Sequence, residues 1–246
     1  MLRKKTKKIL EDYGIKLDKN QGQSHLVDER VLKRIVEYAE ISPSDVVLEI
    51  GPGLGNLTSL LIERAARVIA IERDTRLARI LRDRFRDETD LEIKNEDVLE
   101  TSLPYFDKVV ANLPYSISSP ITFKLLENEF DSGVLTYQKE FAERLIADVG
   151  SSDYSRLTVN VYYRGKAEIL EEIPPTAFFP EPEVYSDMVK FESRDEPFQV
   201  KNEERFFSTV KAAFQHRRQK IRNSLYHSFD EVFPDISIPK DKKRGL

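Results

Sequence analysis

Asn112, Leu113, Pro114 and Tyr115 stand where an apolar stretch, KVVANL at 108–113, gives way to SISSP. An amide, a proline and an aromatic ring at the exit of a core strand suit one task, the holding of a flat nucleobase with an amine on its edge. Adenine's exocyclic amine is a poor nucleophile because its lone pair is delocalised into the ring. Two acceptors on its hydrogens favour a pyramidal nitrogen with the lone pair pointing outward. Asn112 Oδ1 is one acceptor. A backbone carbonyl, that of Pro114, is the expected second, its direction fixed by the proline. Tyr115 offers a face for stacking, worth roughly 1–3 kcal/mol per base. The plainer reading is a proline-stopped strand with a core tyrosine.

A second group of residues suits a cofactor. VVLEIGPGLGNLT reads as strand, glycine turn, helix, in which Gly51 and Gly53 let the backbone approach a ligand and Gly55 permits close packing at the helix start. Alone, such a pattern is weak. The next strand ends in Glu72, 21 positions after Gly51, near the spacing of an acid that holds ribose hydroxyls. A third strand ends in NEDVL, placing Asp97 where it accepts from an adenine amine. Three strand ends carrying Gly, Glu and Asp describe S-adenosylmethionine. A nicotinamide cofactor favours a third glycine where Asn56 stands. The sulfonium is already a good leaving group, so catalysis is mainly positioning and needs no metal.

Elements must hold these residues at one edge. Strands are expected at 46–50, 67–72, 91–97 and 108–113, with helices at 27–40, 57–65 and 75–85 between them. This alternation describes a parallel sheet covered on both faces. A strand at 133–138, a helix at 139–149 and an antiparallel pair at 167–173 and 187–193 follow. PPTAFFPEPEV lies between the last two as an ordered loop, and the pattern beyond 197 is helical.

The 246 residues include no cysteine, which excludes disulfides and thiolate metal sites. His25, His216 and His227 have no metal-ligand spacing. Neither a signal peptide nor a membrane span is visible, so a cytoplasmic protein is expected. The net charge of −4 is unevenly spread: residues 201–246 hold 11 basic against 6 acidic, and five of the first eight residues are basic. Basic surfaces at both chain ends are expected.

The chain resembles the ribosomal RNA adenine dimethyltransferases, in their archaeal form, which modify two adjacent adenosines near the 3′ end of small-subunit rRNA. The erythromycin-resistance methyltransferases are a sister group. The resemblance runs through GQSHLVD, EIGPGLGNLT, NEDVL, ANLPYSISSPITFKLL, YQKEFAERLIA, IPPTAFFPEPEVYSDMVKF and AAFQHRRQKIRNSL, nearly the whole chain. It implies cofactor contacts at Ser24, Leu26, Gly51, Glu72, Asp97 and Asn112. The family usually has Asn-Phe where this chain has Ser24-His25. The resemblance also implies that Phe178 stacks opposite Tyr115, and that Arg217, Arg218, Lys220 and Arg222 contact RNA phosphates.

The expected fold is a Rossmann-like, seven-stranded, mostly parallel α/β methyltransferase domain at 1–196 with a small helical domain at 197–246. The expected function is dimethylation of adenine N6 by a monomer acting on a pre-assembled small subunit. Two alternatives are a non-catalytic RNA-binding factor, which has no need of Glu72, Asp97 and the Asn-Leu-Pro-Tyr stretch, and a large-subunit resistance enzyme, which the basic C-terminal run disfavours.

Overall fold

A computed structural model describes residues 2–15, 24–216, 219–228 and 232. The chain starts with α1 (Leu2–Asp12) and a short strand β1 (His25–Leu26), then α2 (Glu29–Tyr38). The alternating unit follows: β2 (Val46–Ile50), α3 (Thr58–Ile62), β3 (Arg67–Ile71), α4 (Thr75–Arg84), β4 (Leu91–Lys94), β5 (Lys108–Asn112), α5 (Ser118–Leu126), β6 (Ser132–Gln138) and α6 (Lys139–Leu145). After α7 (Arg156–Arg164) come β7 (Gly165–Ile173), β8 (Phe178–Phe179) and β9 (Ser186–Ser193), and then α8 (Glu203–Gln215) and α9 (Ile221–His227).

The seven-stranded sheet has the order β4-β3-β2-β5-β6-β9-β7. Strands β2 to β6 run parallel, and β9 is antiparallel to both its neighbours. The expected late antiparallel pair is therefore present as β7 and β9. Strand β2 has β3 on one side and β5 on the other, so the winding direction reverses there. A crevice at the carboxyl ends of β2 and β5 is the consequence.

The residues alternate across this sheet as two-sided burial demands. Leu48, Ile50, Ile69, Ile71, Val109 and Ala111 pack on one face; Val47, Val68, Val110 and Val134 pack on the other. Helix α2 lays Val31, Leu32, Ile35 and Val36 onto the second face, each worth about 1.5–3 kcal/mol if fully buried. Asp28 caps it by accepting from the Arg30 and Val31 N–H groups, and Asp74 likewise starts α4.

Pro120 sits in the first turn of α5, where no proline N–H is missed. Helix α7, in a stretch with no sequence expectation, buries Leu157, Val161 and Tyr163 despite its β-branched and aromatic composition. The proline-rich loop contains a 3-10 turn at Pro175–Ala177 and β8, which bridges to β1. Tyr163 of α7 meets Phe198, Phe206 and Phe207, and Arg164 pairs with Glu203 at 3.0 Å, so α8 is seated on the sheet's own helices.

Candidate active site

A cavity of about 220 Å³ opens at the carboxyl edge, lined by Gly51, Gly53, Glu72, Asp97 and Asn112 with Ser24 and Leu26. All seven residues expected around a cofactor thus meet in one place. The glycines are required by shape. Gly51 and Gly53 have φ of +66° and +61°, the left-handed region that other residues enter at a cost. A Cβ on Gly53 would fall 2.7 Å from the His25 ring, and one on Gly51 3.2 Å from Pro114 Cδ. The glycine turn therefore touches both the segment before α2 and the stretch after β5.

Glu72 is buried at the end of β3 and is held at both oxygens. Oε2 accepts the Gly53 N–H at 3.0 Å and Oε1 accepts the Asp74 N–H at 2.8 Å. Burial pushes its pKa up, against the downward pull of those two donors. Asp97 Oδ1 accepts the Leu99 N–H at 2.9 Å, and Oδ2 lies 3.5 Å from Arg73, so Oδ2 is only loosely engaged. Leu26 contributes its backbone: its side chain is in the core, and its carbonyl accepts from Asn56 Nδ2 at 2.9 Å.

Asn112, the last residue of β5, has its amide fixed at both ends. Nδ2 donates to the Ser24 carbonyl at 3.2 Å, and Oδ1 accepts from the Thr136 hydroxyl at 2.7 Å. A carbonyl only accepts, so Ser24 dictates which amide atom faces it, and Thr136 must then donate. One lone pair of Oδ1 is left over. The Ser24 contact is made through its backbone.

The rest of the Asn-Leu-Pro-Tyr stretch leads into a 3-10 turn. The Pro114 carbonyl, expected as second acceptor, accepts the Ile117 N–H at 3.1 Å as a 3-10 turn begins at Tyr115. The Leu113 side chain is 2% exposed in the core, so only its backbone remains for chemistry. Tyr115 is half-buried, its hydroxyl 2.6 Å from Ser186 Oγ, and burial raises its pKa. Phe178 is corrected outright. It is 1% exposed and packs among Leu26, Ile173 and Met188, because the β1–β8 bridge pairs it with Leu26. A ring so enclosed presents no face to a base.

Three cavity residues were not legible as site residues. Glu49 is a charged residue within a buried strand; its Oε2 meets no hydrogen-bond partner among the described residues, and burial pushes its pKa up to about 8. His25 has an enclosed, unpartnered Nε2, and burial lowers its pKa to about 4. Asn56, noted only as a missing glycine, joins the glycine turn to β1. The first of these had a signal, a lone acid in VVLEI; the others depend on neighbours distant in sequence.

Of the basic run, Lys220 stands at the N-cap of α9 and Arg222 lies within it. Lys220 and Arg222 are exposed; Arg217 and Arg218 lie outside the described residues.

Residues 14–240 match the model of the family described as Ribosomal RNA adenine dimethylase. A probable ribosomal RNA small subunit methyltransferase A from Methanococcoides burtonii is 51% identical over 219 residues, 89% of this chain and 81% of that protein. Among solved structures, a dimethyladenosine transferase from Plasmodium falciparum superposes with a TM-score of 0.73 at 33% identity, covering 89% of this chain and 85% of that one. The 23S rRNA methyltransferase ErmE gives 0.69 at 33% identity, covering 82% and 83%.

Proposed function

The chain belongs to the ribosomal RNA adenine dimethylase family, and from that membership we propose how its own residues perform the reaction. It is a methyltransferase that uses S-adenosylmethionine to dimethylate adenines of small-subunit ribosomal RNA. The residues fit such a cofactor: Gly51 and Gly53 border the cavity without a side chain, and the buried Glu49 Oε2, which has no hydrogen-bond partner among the described residues, suits a ligand with a cationic ammonium. Bound S-adenosylmethionine supplies a methyl group on a sulfonium that leaves readily. Gly51 and Gly53 border its methionine end, Glu72 takes the ribose hydroxyls and Asp97 takes the adenine amine.

The target base is assigned to the edge of the same cavity. Asn112 Oδ1 accepts one hydrogen of the target N6 amine with its remaining lone pair. A backbone carbonyl, that of Pro114 or of its neighbour Leu113, takes the other; the Pro114 oxygen keeps a second lone pair beside its bond to the Ile117 N–H. Tyr115 carries the stacking face, and its bond to Ser186 fixes the ring's position. These contacts hold the nitrogen pyramidal and aligned, and water is kept out by the base itself. The carrying observation is the doubly anchored Asn112 amide in a cavity shared with Glu72 and Asp97.

We further assign 197–246 as a helical domain that docks RNA through Arg217, Arg218, Lys220 and Arg222, on a pre-assembled small subunit in the cytoplasm, by a monomer. The test is transfer of labelled methyl groups onto small and large subunits from an unmodified strain, with the modified nucleotides mapped. Two neighbouring dimethyladenosines near the 3′ end of small-subunit rRNA are expected. Label on large-subunit rRNA alone, or none, overturns the reading.

A further inference from the structure

Helix α1 joins the two sides of the site. Thr6, fully buried, lies 3.4 Å from Asn56 Nδ2. Leu10 packs with Leu54 and Leu77, which line the cavity from the other side. At the opposite end, the Arg3 guanidinium donates to the Thr176 and Phe178 carbonyls at 2.6 and 2.8 Å and pairs with Glu181. The helix is thus clamped between the glycine turn and the proline-rich loop.

Its outer face carries four lysines. Lys4, Lys5, Lys7 and Lys8 are all exposed. Lys7 lies over the Phe179 ring at 5.0 Å; Lys4, Lys5 and Lys8 have no carboxylate within ion-pair distance among the described residues. Lys4 and Lys8 are four residues apart and Lys5 and Lys8 three, spacings at which like charges repel along a helix. The macrodipole makes matters worse. The first turn has no acid, and the last turn has Glu11 and Asp12 but no base, the reverse of what a helix favours at either end. A docked helix that keeps this charge arrangement is built to meet an anion.

We propose that the outer face of α1, through Lys4, Lys5 and Lys8, is a second binding surface for the phosphate backbone of the RNA substrate, separate from the basic run at 217–222. The proposal rests on the rRNA-modifying function given above. Phosphates are the partner chosen because three ammonium groups along two turns match a row of single charges, and because α1 packs directly behind Leu54 and Asn56, which line the cavity beside which the target base must sit. The surface holds the strand flanking that base while the C-terminal run holds a distant part of the same RNA.

The experiment compares wild type with Lys4→Glu/Lys5→Glu/Lys8→Glu and with the corresponding triple Gln variant, because these residues are exposed. Binding to protein-free small-subunit rRNA and to assembled subunits is measured across salt concentrations, with methyl transfer and S-adenosylmethionine binding alongside. Each lost phosphate contact removes about 0.7–0.9 from the slope of log K against log salt, so a slope shallower by roughly 2–3 is expected. The KM for RNA should rise, with turnover at saturating substrate and cofactor affinity unchanged. An unaltered slope and KM in both variants overturns the proposal while leaving the function intact, since wild type still methylates. Weaker binding to assembled subunits with unchanged binding to free rRNA assigns the face to an acidic protein and overturns it equally. Absence of transfer by wild type defeats the underlying function instead.

Discussion

The Thr136 hydroxyl donates to Asn112 Oδ1 across 2.7 Å, from the position directly opposite in the adjoining strand. Thr136 is fully buried, and the bond, with the Ser24 carbonyl on the other side, leaves the amide a single orientation.

Thr136→Val keeps the shape and removes the donor. We expect turnover to fall with little change in KM, because the orientation matters most as the amine becomes pyramidal. Loss of about 1–3 kcal/mol corresponds to roughly five- to 150-fold. Thr136→Ser should recover most of it. Single-turnover transfer onto saturating subunits is the measurement, and Asn112→Ala should gain no further loss from Thr136→Val.

The cofactor assignments are tested at the strand ends. Glu72→Ala should weaken S-adenosylmethionine binding in isothermal titration more than Asp97→Ala does. Glu72 also accepts from the Gly53 and Asp74 N–H groups and so shapes the turn itself, whereas Asp97 has one loosely engaged oxygen. Equal, wild-type affinity in both variants would remove the assignment.

Gly53→Ala is expected to abolish tight cofactor binding. The substitution places a Cβ 2.7 Å from the His25 ring at a φ of +61°, and the left-handed backbone alone costs about 1–2 kcal/mol. Adding His25→Ala relieves the contact but not the backbone strain. Partial recovery of affinity in the double variant, read by titration, is the expected result.

Stability should peak at mildly acidic pH. Glu49 has its pKa raised from 4.5 to about 8, so the fold favours its protonated form. Its contribution is complete below 4.5 and is lost as pH rises through 8. His25 is lowered from 6.5 to about 4, so its contribution is complete above 6.5 and is lost as pH falls through 4. In the cofactor-free protein, Glu49→Gln should flatten the alkaline limb of the Tm profile and His25→Phe the acidic limb. Limbs unchanged by these substitutions would locate the pH dependence elsewhere.

The sequence alone determined the sheet and the order of the site. Strand ends are local events: an apolar run stops, and the next residue lies at the sheet edge once strands and helices alternate. Gly51, Glu72, Asp97 and Asn112 could therefore be placed together from spacing. What only the tertiary structure decided depends on register and on contacts between distant segments. Thr136 reaches Asn112 because β6 pairs with β5 at that residue, 24 positions on. Phe178 faces the core because a two-residue bridge to Leu26 sets which side of the backbone it occupies. The Pro114 oxygen accepts from Ile117 as a 3-10 turn begins, and α1 lies behind the cavity lining because Thr6 and Leu10 dock on residues 50 and 44 positions away. No local pattern records such pairings, since burial and hydrogen bonding among remote segments are settled only when the whole core closes.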